Sequence, residues 1–130
     1  MQLRELNIDS SLSETPKFIG KMKNLEVVVL HRNERVEEAD LKVFLRELCQ
    51  LKILKRLVLK NCLNMNSLPD SIGNLTSLEY IDLSGCRSLQ RLPNSFGKLS
   101  NLELMDLSEC LSLKTFPPGR WKRTKPPSIE

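Results

Sequence analysis

The sequence predicts an α/β solenoid, in which short parallel strands stack into a curved sheet. The first observation is a repeat, because segments 51–74, 75–98 and 99–122 align with offsets of 75 − 51 = 24 and 99 − 75 = 24 residues. The second is the pattern L-x-x-L-x-x-[LIM]-x-L-x-x-C, which opens all three copies. A fixed period of this length and this pattern are typical of a leucine-rich-repeat solenoid, which buries a core only by stacking its turns.

Each copy contains one strand, if its first Leu is counted as repeat position 1. Apolar residues alternate with others over positions 5–10, which predicts strands at 55–60, 79–84 and 103–108. Side chains at positions 7 and 9 then point into the core, and those at positions 6, 8 and 10 point outward. We expect this sheet to line the concave side of the solenoid.

The return segment of each turn carries Leu-Pro followed by an apolar residue and Gly. The first copy has Leu68-Pro69 and Ile72-Gly73, and the second has the same types at 92–93 and 96–97. Pro tolerates a bend that needs no N–H, and Gly can adopt a positive φ angle. We therefore predict short 3₁₀ or extended segments on the convex side, with the Gly at the closing turn.

Two earlier copies extend the repeat upstream. The copy at 22–50 is longer, at 50 − 22 + 1 = 29 residues, and Asn33 takes the place of its Cys. Apolar residues recur in it at 41, 44, 45 and 48, which predicts an amphipathic helix that Asp40 could cap. An incomplete first copy places Leu3, Leu6 and Ile8 at positions 4, 7 and 9.

We therefore expect one leucine-rich-repeat domain of about five turns over 1–118 and a disordered basic tail over 119–130. Four cations against Glu130 give the tail 4 − 1 = +3 of the formal net charge of +4. The tail is either a solvated, frayed end or a weak nuclear-import or acidic-surface signal. Nucleic-acid binding is not expected, because aromatic residues make up only 5% of the chain and the repeat body is nearly neutral.

The chain shows neither a secretory signal nor an apolar run long enough to span a membrane, so we expect a cytoplasmic or nuclear protein. Solenoids need polar caps at their ends, and neither end of this sequence supplies one. We therefore expect the chain to be a fragment or a domain cut from a longer array.

The string at 68–93, LPDSIGNLTSLEYIDLSGCRSLQRLP, resembles the repeats of plant nucleotide-binding leucine-rich-repeat disease-resistance proteins. The resemblance is close over 51–117 and loose over 1–50. It implies recognition of a protein in innate immunity: a pathogen effector, a guarded host protein, or the receptor's own nucleotide-binding domain. The chain has no G-x-x-x-x-G-K-[ST] loop, so the resemblance does not extend to a nucleotide switch.

The cysteines and the single histidine indicate neither a metal site nor a catalytic site. Cys62, Cys86 and Cys110 recur at position 12, and a straight ladder of thiols cannot converge on a metal. His31 falls at an outward strand position, and the sequence places beside it no Ser or Cys nucleophile together with a group that would orient the histidine as a base. We expect no enzyme activity, no cofactor, no metal and no small-molecule substrate.

The outward strand positions are the predicted protein-binding site, because the repeat frame does not require apolar residues there. An exposed apolar patch rimmed by charge is typical of protein interfaces, and Tyr and Arg often dominate their energetics. Alternatively, the valines are present only because β-branched residues favour strands. The predicted contact residues are Val27, Val29, His31, Arg56, Val58, Lys60, Tyr80, Asp82, Leu104 and Asp106.

Overall fold

The computed structural model describes residues 3–8, 18–31, 37–114 and 122–125, the last of these as backbone only. One parallel sheet has the order β1-β2-β3-β4-β5-β6, so every strand lies next to its neighbour in sequence. This architecture confirms the predicted leucine-rich-repeat solenoid. The strands are β1 (Glu5–Ile8), β2 (Val27–His31), β3 (Arg56–Lys60), β4 (Tyr80–Asp82), β5 (Leu104–Asp106) and β6 (Lys122–Lys125).

The core lies behind the sheet and repeats with the sequence. Position 7 places Leu57, Ile81 and Met105 in register across β3, β4 and β5. These side chains are fully buried, as are those at position 9 of the same copies. Leu3 differs from its predicted inward place and is exposed, whereas Ile8 is buried. The two apolar positions of each strand therefore supply the layered core that stacked turns require.

Within the described residues, the convex side carries one helix and three 3₁₀ segments, the kinds of element that the sequence predicts there. Helix α1 (Glu38–Leu48) buries its apolar stripe, and η1 (Ile19–Lys21), η2 (Asp70–Asn74) and η3 (Asn94–Lys98) close other turns. The predicted capping role of Asp40 is wrong, since Glu37 is the N-cap and Asp40 lies inside the first turn. A carboxylate there still interacts favourably with the helix dipole.

The closing glycines do not have the predicted left-handed backbone. Among the described residues, φ is positive only at Asn61, Gly85 and Glu109, all at repeat position 11. Gly73 is required for a different reason, because a Cβ there would lie 2.7 Å from the Ser95 carbonyl oxygen of the next turn. The left-handed residue therefore follows the strand, and the closing Gly permits close stacking.

Glu109 has a φ of 60°, and the other position-11 residues also have positive φ angles. Of the three residue types, Glu is the least suited to this left-handed conformation. We expect Glu109→Gly to raise the free energy of unfolding by about 0.5–1 kcal/mol, because the Cβ strain is relieved. Urea unfolding followed by circular dichroism measures the change. Asn61→Gly is the matched control and should change stability less, because Asn tolerates this conformation. Destabilisation by Glu109→Gly would contradict the prediction.

The tail differs from the predicted disorder over residues 122–125. Their backbone forms β6, which pairs in parallel with β5 and has a register shift between Met105 and Asp106. The pairing has a simple cause, because an edge strand offers a row of unpaired N–H and C=O groups. The rest of the tail and Asn33 lie outside the described residues. In the described part of the chain, no helix is both long enough and apolar enough to cross a membrane.

Candidate functional site

The outward strand positions form three columns across the sheet, and we call this surface the concave face. Each column runs perpendicular to the strands, because the parallel register pairs equivalent repeat positions. The position-6 column contains Glu5, Val27, Arg56, Tyr80 and Leu104, and the position-8 column contains Asn7, Val29, Val58, Asp82 and Asp106. At position 10, His31 pairs with Lys60. All ten predicted contact residues thus share one face.

Apolar side chains on this face remain partly open to solvent. Val27, Val29 and Val58 are half-buried, and Leu104 is 40% exposed. The three valines lie side by side across β2 and β3, whereas Leu104 lies two strands from β3, on β5. The face therefore presents an apolar patch at one end and a single apolar side chain near the other.

Arg56 and Tyr80 are neighbours in the position-6 column, between Val27 and Leu104. The guanidinium carbon lies 4.7 Å from the centroid of the tyrosine ring, which is within cation–π range. Burial raises the pKa of the Tyr80 hydroxyl, and the negative charges of Asp82 and Asp106 raise it further. The phenol therefore stays neutral at physiological pH, with its ring fixed against Arg56.

Asp82 is buried, which makes its predicted solvent exposure wrong. Its side chain is only 7% exposed, and its Oδ1 accepts a 2.8 Å hydrogen bond from the backbone N–H of Ser84. Asp106 repeats the motif, since its Oδ1 accepts from the Ser108 N–H at 2.9 Å. These carboxylates stabilise the turn that leaves each strand. The repeated D-L-S string at 82–84 and 106–108 was the sequence signal for this role.

A row of charges at position 5 forms one rim of the concave face, which the sequence reasoning missed. Glu26 lies between two cations, with Arg4 at 3.9 Å and Lys55 at 4.0 Å. The next two positions in the row are Glu79 and Glu103, and both side chains are exposed. The rim is therefore charge-compensated beside β2 and β3 and uniformly negative beside β4 and β5.

The cysteine ladder has a structural role, because its thiols donate to backbone carbonyl oxygens. Cys86 donates to the Leu59 carbonyl oxygen and Cys110 to the Leu83 carbonyl oxygen, each at 2.9 Å, while Cys62 makes a longer contact of 4.0 Å to the Leu30 oxygen. All four cysteines are free thiols. Hydrogen bonding with Cys62 and burial raise the pKa of the Cys86 thiol. Among the described residues, no group of His, Cys, Asp and Glu could hold a metal ion.

Cys110 should make the free energy of unfolding depend on pH in the alkaline range. Burial raises the pKa of its thiol from the ordinary 9.0 to about 12. The folded state therefore retains a proton that the unfolded chain loses, so stability is full below pH 9 and falls as the pH rises towards 12. Urea unfolding on either side of pH 9 measures this slope. Cys110→Ser keeps a donor without that titration and should make the slope shallower, and an unchanged slope would contradict the prediction.

One known sequence family matches part of the chain. The sequence family described as Leucine Rich Repeat matches residues 77–99, and no curated protein sequence matches the chain. Similar solved structures include the leucine-rich repeat domain of the type III effector XopL, at 19% identity and a TM-score of 0.41, covering 89% of this chain and 64% of that one.

Two further structures have the same kind of likeness. TLR13 in its complex with ssRNA13 has 15% identity and a TM-score of 0.48, covering 88% of this chain and 22% of that one. A Leptospira interrogans LRR protein has 19% identity and a TM-score of 0.35, covering 96% and 51%. The chain thus spans less than two thirds of each of these structures. The repeat frame and the stacked parallel sheet are those of a leucine-rich-repeat solenoid, and the family match covers residues 77–99 of it.

Proposed function

We propose that the chain is a non-catalytic protein-recognition module that binds its partner through the concave face. The observation that carries this proposal is the outward placement of Tyr80, stacked by Arg56, between the valine patch and the partly exposed Leu104. Aromatic and Arg side chains in such surroundings are the residue types that most often dominate binding energy. The valines supply apolar area that the repeat frame does not need.

We further infer a role in plant innate immunity, with a pathogen effector, a guarded host protein or the nucleotide-binding domain of the same receptor as the partner. The resemblance of 68–93 to the disease-resistance repeats supports this role. The alternative functions are a general intracellular scaffold for signalling complexes and a receptor fragment with no independent function. The immune role and the scaffold role both require protein binding, so the concave face is the part to test first.

Selection from a random peptide library tests the proposed function without a known partner. Peptides enriched on the folded chain are titrated against a variant combining Arg56→Ala and Tyr80→Ala, with binding measured by fluorescence anisotropy. We expect the affinity to fall at least about tenfold, since central aromatic and Arg residues commonly contribute that much.

The control variant for this titration is Leu111→Ala, which removes an exposed apolar side chain at repeat position 13, outside the concave face. Its affinity for the same peptides should not change. Circular dichroism and thermal unfolding confirm that all the variants fold. If the enriched peptides bind the double variant as tightly as the wild type, the concave face is not the recognition surface.

A further inference from the structure

The outward side of β2 and β3 combines an apolar centre with positive charge. Six residues that pair in register across the two strands form this surface, which we call the β2–β3 patch: Val27, Val29 and His31 from β2, and Arg56, Val58 and Lys60 from β3. The three valines are half-buried, and the other three residues are exposed. Along β3 the order is therefore cation, apolar residue, cation, with one inward residue between each pair.

The two cations of β3 are not neutralised by their neighbours. Neither Arg56 nor Lys60 forms an ion pair with a described residue. Arg56 contacts the ring of Tyr80, which supplies no negative charge. Asp82 on the next strand is only 7% exposed, and its Oδ1 accepts a backbone N–H of the following turn. Glu5 lies two strands from Arg56 in the same column. Both cations are therefore available to a negatively charged ligand.

The spacing along β3 matches an extended peptide. Arg56 and Lys60 lie on one side of the strand, four residues apart, which is about 13 Å at a strand rise of about 3.3 Å per residue. An extended partner has the same rise and the same alternation, so its residues i, i+2 and i+4 can face these two cations and Val58 one for one. Val29 lies beside Val58 and widens the apolar centre. Because the order of the three residues is symmetric, the segment fits in either direction.

We propose that the β2–β3 patch binds an extended segment of a partner protein with the pattern acidic-x-apolar-x-acidic. Its carboxylates pair with Arg56 and Lys60, and its central apolar side chain packs on Val29 and Val58. A single-stranded nucleic acid fits less well, because the six residues of the patch include no aromatic ring on which bases could stack. This inference rests on the proposed function and adds the chemistry of the partner to it.

A disulfide-closed hairpin peptide with Glu-Ser-Leu-Ser-Glu on one strand tests the proposal, since closure holds the segment extended in advance. One matched hairpin has Lys at both Glu positions. Another has Glu-Glu-Leu-Ser-Ser, which keeps the composition but leaves one carboxylate on the facing side. Titrations of the full chain followed by ¹H–¹⁵N NMR measure the affinities. We expect the first hairpin to bind about fivefold more tightly than the rearranged one and more weakly as salt rises, and the Lys hairpin not to bind.

Two variants separate the charge of the patch from its apolar centre. Lys60→Gln removes one cation at nearly constant length and should weaken binding of the first hairpin about fivefold. Val58→Thr exchanges a methyl group for a hydroxyl at nearly constant size and should weaken binding by a similar factor. Lys52→Gln is the matched control, because it removes an exposed lysine at repeat position 2, outside the concave face, and should leave the affinity unchanged. Circular dichroism and thermal unfolding confirm that the variants fold.

Equal affinity of the first hairpin for the wild type and for Lys60→Gln would overturn the inference. Equal affinities of the two acidic hairpins would also overturn it, because charge without spacing would then explain the binding. Displacement of the hairpin by an oligothymidylate of equal charge would assign the patch to polyanions and contradict a protein partner. If library peptides lose affinity for the variant combining Arg56→Ala and Tyr80→Ala while no hairpin binds, the proposed function stands and this inference alone fails.

Discussion

Phe96→Ala is expected to lower the free energy of unfolding by about 3–5 kcal/mol, because it leaves a large cavity in a packed core. Phe96 is fully buried in η3, which packs against η2 of the preceding turn. A domain is typically stable by about 5–15 kcal/mol in total, so a loss of this size brings the solenoid close to unfolding. Urea unfolding followed by circular dichroism measures the change.

Phe18 provides the matched control because it is the same residue type at an exposed position. Its side chain is 73% exposed, beside η1. Phe18→Ala should therefore change the free energy of unfolding by no more than about 0.5 kcal/mol. Similar losses for the two variants would show that the convex side is not packed as described.

Gly73→Ala is expected to cost about 1–3 kcal/mol, because the added Cβ overpacks the contact between two turns. It would lie 2.7 Å from the Ser95 carbonyl oxygen and 2.8 Å from the Ser95 Cβ. A backbone atom cannot move aside as a flexible side chain can, so the turns must separate locally. The loss is measured by the same unfolding experiment and as faster hydrogen exchange of the β3–β4 ladder.

Gly97→Ala is the control for this prediction, since Gly97 has the same repeat position but is exposed. We expect it to change stability by less than about 0.5 kcal/mol. If both substitutions were tolerated equally, close stacking would not be the reason for the closing glycine.

The sequence alone could predict the fold because every core position recurs. Leu57, Ile81 and Met105 keep one place in the frame, so a single alignment predicts the strands, their register and the buried columns. The role of the cysteines could also be predicted, since a buried carbonyl oxygen beside each strand needs a donor and the thiol supplies one.

Other features depend on distances between turns, which a repeat pattern does not contain. The pattern shows that Gly73 recurs but not that it faces the Ser95 backbone, so a positive φ was a reasonable but wrong expectation. Asp82 is a polar residue at an outward position, and the D-L-S string could be interpreted as a turn signal only once the Ser84 N–H was seen to donate to its carboxylate. The pairing of 122–125 with β5 follows from an open sheet edge, which the composition of the tail does not show.

The concave face could be predicted as a set of residues, while the charge difference along its position-5 rim could not. The three columns follow from the period-two alternation. The compensation of Glu26 by Arg4 and Lys55 depends on side-chain distances across neighbouring strands. Position 5 lies at the start of each predicted strand, so the alternation gave no reason to include its charges in the site.

Methyl NMR of the chain with a library-selected peptide tests recognition by the concave face most directly. Val27, Val29, Val58 and Leu104 report on that face, and the exposed Ile53 and Leu111 report on surfaces outside it. We predict that the peptide shifts the methyl signals of the first group and leaves those of the second unchanged. Shifts at Ile53 or Leu111, with none at the valines and Leu104, would contradict recognition by the concave face.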